Sequence, residues 1–178
     1  SNKPASQKQL DQRARFAAVL KFMGPIKDLL LIGYKGQNAG RATGFNMGIQ
    51  HAINNAVIGA YPNFSVDYAL IQVAKGTLQP PSSIVFSSSA AGSLVINWSP
   101  QINGLNAFSD DVLIILLFNE EQQFFLSYTD DGLRADGTCT LAIPTDFSGQ
   151  TVHGYLFYVD RNGARQSNSA YVAPITLV

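Results

Sequence analysis

The chain has 178 residues, with 46% hydrophobic and 13% charged side chains and no net charge. That is enough apolar material for one large domain or two small ones, which excludes a disordered chain. The longest apolar run, the seven residues from Val112 to Phe118, is far short of the roughly 18 of a membrane span, and the single Cys139 excludes a disulfide scaffold or a multi-thiolate zinc cluster.

Zero net charge hides an asymmetry. Residues 1–62 carry eight basic side chains and two acidic ones, a difference of +6, whereas residues 63–178 carry four basic and ten acidic ones, a difference of −6. Two regions with opposite surfaces follow, able to attract each other or different partners. No apolar stretch follows Ser1-Asn2-Lys3-Pro4, so no signal peptide is expected, and the compartment stays open.

In chain order, Ser6 with Gln9 reads as a capping box, and Leu10, Ala14, Phe16, Ala17, Leu20 and Met23 recur at helical spacing, predicting a helix to residue 23. Gly24 ends it, and Pro25 suits the first turn of a short second helix to Ile32. Gly33, Gly36, Gly40 and Gly44 punctuate the next stretch. Phe45, Ile49, Ala52, Ile53, Ala56 and Val57 then mark a third helix, closed by Gly59 and Pro62.

From Val66 the period falls toward 2. Strands are predicted at 67–75, 83–88, 92–98, 111–118, 122–128, 137–143, 151–159 and 169–177, separated by turns such as Asn103-Gly104, Asp136-Gly137 and Asn162-Gly163. The expected fold is α+β, with N-terminal helices followed by an immunoglobulin-like antiparallel β-sandwich. Residues 1–65 form the helical region packed on the sheet, and residues 66–178 a sandwich of seven to eight strands. In 111–118 both alternating sets are apolar, Val112, Ile114, Leu116, Phe118 and Leu113, Ile115, Leu117, so this strand should be central and covered on both faces, with the helices as the nearest cover.

Residues 83–178 resemble a fibronectin type III or immunoglobulin-like module: Leu94-Val95-Ile96-Asn97-Trp98 resembles an early strand with a core Trp, and Leu141 through Pro144 to Tyr155 the approach to a late strand. Nearly the whole chain, through Gln12-Arg13-Ala14-Arg15-Phe16, Lys27-Asp28-Leu29, Tyr61-Pro62-Asn63, Arg134-Ala135-Asp136-Gly137-Thr138 and Pro144-Thr145-Asp146-Phe147-Ser148-Gly149, is similar to a family of proteins of unknown function from Bacteroidetes bacteria. That resemblance implies the two-part layout and no catalytic residue. A Gly-rich basic segment precedes the corresponding part in that family, which leaves open whether Ser1 is the native start.

Candidate chemistry is sparse. The stretch from Gly33 to Gly44 lacks the Gly-Lys-Ser/Thr order of a phosphate loop, since Arg41-Ala42-Thr43 follows Gly40. His51 falls off the apolar face of its helix and reads as solvated, while His153 alternates with Tyr155, Phe157 and Val159 and reads as structural. Neither has a second metal-ligating residue at suitable spacing, so no metal and no cofactor is expected. A hydrolase would need His153 with Ser148 and Asp146, but no nucleophile elbow is present. Cys139 reads as a packed thiol, and the sequons at Asn63 and Asn97 as incidental.

Phe124, Phe125 and Tyr128, or Tyr155, Phe157 and Tyr158, could stack on a glycan, although Phe124 and Phe125 must point to opposite faces. Lys8, Arg13, Arg15 and Lys21 on the first helix form a candidate contact surface for a protein partner, for self-association or for nucleic acid. The expected function is a non-enzymatic structural or protein-interaction module. The alternatives are a ligand-binding module for glycan or nucleic acid, and a hydrolase.

Overall fold

Three helices, a hairpin and seven further strands make three layers in a computed structural model that describes residues 3–37, 40 and 42–178. Helix α1 (Gln7–Met23) starts at the predicted capping box, with the Gln9 N–H donating to Ser6 Oγ at 3.3 Å and the Ser6 N–H to Gln9 Oε1 at 2.9 Å. A 3₁₀ turn through Pro25 leads into α2 (Lys27–Gly33), and α3 (Gly44–Asn55) starts at Thr43, whose Oγ1 accepts from the Asn46 N–H at 3.2 Å. Of the Gly-rich stretch between them, Asn38, Ala39 and Arg41 lie outside the described residues, as does Ser1.

Two sequence expectations are corrected after α3. Ala56 and Val57 do not extend the helix: Val57–Ala60 (β1) and Asn63–Val66 (β2) pair as an antiparallel hairpin whose turn contains Pro62. The strand expected at 67–75 is also absent. Residues 68–70 make a 3₁₀ turn, and the chain then runs along the side of the molecule, tied by Lys75 N–H to the Gly33 carbonyl (3.0 Å), Val73 N–H to Ser169 Oγ (3.0 Å) and Tyr34 Oη to the Gln72 carbonyl (2.8 Å). Its alternating apolar residues are buried by packing between layers, so no ladder is required. Gly76 passes so close to Gln166 that a Cβ there would overlap the Gln166 carbonyl.

The remaining strands form the predicted sandwich. One sheet has the order β3 (Val85–Ser87), β4 (Ser93–Asn97), β7 (Thr138–Ala142). The other has the order β6 (Phe124–Tyr128), β5 (Val112–Asn119), β8 (Thr151–Val159), β9 (Ala170–Thr176), and every pairing is antiparallel. The β8–β9 register shifts by one residue between Val152 and Gly154, which places Ala173 and Pro174 opposite His153 on an edge strand, where a missing N–H is tolerated.

β5 is central and covered on both faces. Leu113, Ile115 and Leu117 join Leu94, Ile96, Trp98, Leu141 and Leu156 in the core between the sheets. Ile114, Leu116 and Phe118 face the helices, in a second core with Val19, Phe22, Met23, Leu30, Ile49, Tyr155 and Phe157. The four-stranded sheet is therefore the middle layer. An ordinary sandwich sheet shows one face to water, whereas here the helices, the hairpin and Ile71–Ala74 take that place.

Candidate functional site

Only part of α1 is used for packing. Its last turns bury Val19, Phe22 and Met23, and the Phe22 ring lies 4.8 Å from that of Phe118 and 5.1 Å from that of Phe125. The residues that carried the predicted stripe spread around the helix instead. Phe16 and Leu20 remain 46% and 38% exposed, and with Arg13 they follow the i, i+3, i+7 spacing that aligns side chains on one helix face. Beside them α3 contributes Gln50 and Ile53, and Gln12, Arg13, Phe16, Gln50 and Ile53 line an open cleft of about 380 Å³.

The four basic residues nominated on α1 do not act alike. Lys8, Arg13 and Lys21 are exposed, and no ion pair holds them among the described residues. Arg15 turns inward: its Nε donates to Asp11 Oδ2 at 2.8 Å, and its guanidinium sits 4.4 Å from the centre of the Phe64 ring of β2. The outer helical face is thus an apolar cleft with cations beside it, a combination that can take an apolar side chain flanked by carboxylates.

Two buried polar clusters were not legible from spacing. In the first, Arg134 Nε donates to Asp111 Oδ2 at 2.8 Å and Nη2 to the Gln79 carbonyl at 2.8 Å, while the guanidinium lies 3.8 Å from the centre of the Tyr158 ring. Asp111 Oδ1 and Tyr158 Oη are buried without a partner, and burial, opposed by Arg134 and assisted by Asp111, pushes the Tyr158 phenol up to about 12. In the second, His153 bonds Tyr171 Oη through Nδ1 (2.7 Å) and Glu120 Oε2 through Nε2 (2.9 Å). Its partners are thus Tyr171 and Glu120, not Ser148 and Asp146. Both clusters join distant strands, and neither presents a nucleophile at a cleft.

The end of the sandwich carrying the loops 98–111, 129–137 and 160–169 has the opposite character to the helices. Asn103 Oδ1 accepts from the N–H groups of Leu105 (2.8 Å), Asn106 (3.0 Å) and Ala107 (3.0 Å), and Asn106 is in turn bonded to Thr77 and Gln79. This network fixes a loop whose tip holds Leu105 at 80% exposure and Ile102 at 51%. Asp130, Asp131 and Asp136 stand exposed on the neighbouring loop, whose Ala135 N–H donates to the Ser109 carbonyl at 3.2 Å. Asp110 is paired with Arg161 at 3.4 Å.

The other nominated residues have structural explanations or stand apart. His51 is half-buried where a solvated position was expected, and its Nδ1 is shielded without a partner. Burial, then Lys75, lowers its pKa. Cys139 is half-buried on β7, with its thiol pushed up to about 11 by burial and by Asp131 and Asp136. Tyr155, Phe157 and Tyr158 are fully buried, Phe125 packs against Phe22 and Phe118, and Phe124 is exposed. The exposed Phe16 and Leu20 were missed because helical spacing marked them as core. The warning signal was that the apolar residues of α1 occupy more of its circumference than one packed face needs.

Residues 1–173 match the model of a family of unknown function, DUF6266, and the chain belongs to that family. No curated protein matches it. Among solved structures it is similar to the fn3 domain of human collagen alpha-1(XX), at 15% identity and a TM-score of 0.43 over 57% of this chain and 86% of that one. It is also similar to a two-domain fibronectin type III segment of chicken tenascin, at 11% identity and a TM-score of 0.42 over 56% of this chain and 50% of that one.

Proposed function

We propose that this member of the DUF6266 family is a non-enzymatic interaction module whose outer helical face is its contact surface. The observation that carries the reading is the division of labour within α1. Val19, Phe22 and Met23 cover the sheet, while Phe16 and Leu20 stay in solvent beside unpaired Arg13 and Lys21. Lys8 extends the same basic helix, and Arg15, tied to Asp11 and Phe64, supports the helix against the hairpin. Leaving apolar area exposed beside cations has a solubility cost that a partner surface would offset.

Photocrosslinking in the native cell tests this. A photoreactive residue at position 13, 16 or 20 should give protein adducts of discrete mass, and one at Ser87 or Thr140, on the exposed side of the far sheet, should not. Absence of adducts from all three helical positions would overturn the reading. So would a turnover that His153→Ala abolishes while the fold is retained.

A further inference from the structure

The outer helical face has a complement on the same molecule. Resting on the reading of that face as a contact surface, we propose that its occupant is the loop end of a second copy, so that the chain associates head to tail. The cleft between α1 and α3 is concave and apolar, lined by Phe16 and Ile53, with Arg13 in its wall. The loop end is convex and apolar at Leu105 and Ile102, with Asp130 and Asp131 nearby in no ion pair among the described residues. Knob and cleft, acid and base, match across two copies.

Charge also selects against the alternative arrangements. A symmetric face-to-face dimer would set Arg13 and Lys21 against their own copies, and an end-to-end dimer would set Asp130 and Asp131 against theirs. Only the mixed contact pairs opposite signs, in keeping with the +6 of residues 1–62 and the −6 of residues 63–178. The Asn103 network holds the Leu105 tip before any partner arrives, so docking orders little new chain. The contact is heterologous: each copy that offers its loop end keeps its own cleft free, and the product is a ring or an open chain.

The test is sedimentation of the full chain at low and high salt with two exposed-site variants, Phe16→Asp and Leu105→Asp. Wild type should associate with rising concentration, less so at high salt. Each variant alone should associate at least about tenfold more weakly with an unchanged melting temperature. An equimolar mixture of the two should form a 1:1 dimer and stop there, because only one intact cleft and one intact tip remain per pair. A monomeric wild type at all concentrations overturns the proposal, as does a mixture as monomeric as its components. Weakening by Phe16→Asp but not by Leu105→Asp would retain the helical face as a contact surface and eliminate the loop end as its occupant.

Discussion

Arg134 is 1% exposed and Asp111 fully buried, so each charge has lost its water and depends on the other. The Gln79 carbonyl and the Tyr158 ring complete the shell of the guanidinium, and the Phe108 N–H donates to the Asp111 carboxylate at 2.9 Å. Removing one partner strands the other, so Asp111→Ala or Arg134→Ala should each lower stability by about 3–5 kcal/mol in urea denaturation. The doubly apolar variant should lose less than the sum of the two single losses. Two independent, additive losses would mean that the pair is not the unit. His51 gives a second residue-scale prediction. Because burial and Lys75 lower its pKa from 6.5, the folded state binds fewer protons than the unfolded chain as pH falls. The stability it contributes is complete above the unfolded value and lost progressively below it, down through the lowered folded value. His51→Gln should therefore flatten the dependence of stability on pH just below about 6.5, and an unchanged slope would contradict this.

At the scale of elements, α1 contains two phenylalanines that a helical period treats alike and that the structure separates. Phe22 stands under the helix against Tyr68, Phe118 and Phe125, and Phe16 stands in solvent. Phe22→Ala should cost about 3–5 kcal/mol, and Phe16→Ala should stay within about 0.5 kcal/mol. Comparable losses would show that the helix is oriented otherwise. The same contrast shows what could be read from the sequence. The double apolar alternation of β5 made its central place legible, because no other position buries both faces of a strand. The hairpin β1–β2 was not legible, since Ala56 and Val57 continue the spacing of α3 and four-residue strands are too short to establish a period of 2. Ile71 and Val73 alternate like a strand, but whether such residues meet a ladder or a layer boundary depends on Gly33 and Ser169, far away in the chain. For the contact surface, charge on α1 was visible and its division was not. Arg15 differs from Arg13 only through Phe64, which the unforeseen hairpin supplies.

For the whole molecule, consecutive residues of β5 belong to different cores: Leu116 to the helical one and Leu117 to the one between the sheets. β8 divides in the same way, with Tyr155 and Phe157 on one side and Leu156 and Tyr158 on the other. If the helices left, Ile114, Leu116, Phe118, Tyr155 and Phe157 would meet water together, which at about 25 cal/mol per Å² of apolar surface outweighs any gain in chain freedom short of full unfolding. The helical region 1–65 and the sandwich 66–178 are therefore expected to melt as one. The ties of Ile71–Leu78 to Gly33, Gln166 and Ser169 carry the coupling along the side of the molecule, and β2 (Asn63–Val66) spans the junction itself. Calorimetry should give a single transition whose calorimetric and van't Hoff enthalpies agree. Phe22→Ala in one core and Leu94→Ala in the other should each lower that transition without splitting it. Two resolved transitions, or a soluble, cooperatively folded fragment 66–178, would instead mean that the middle sheet tolerates a bare apolar face, and the helices would then be a detachable arm rather than the third layer of one fold.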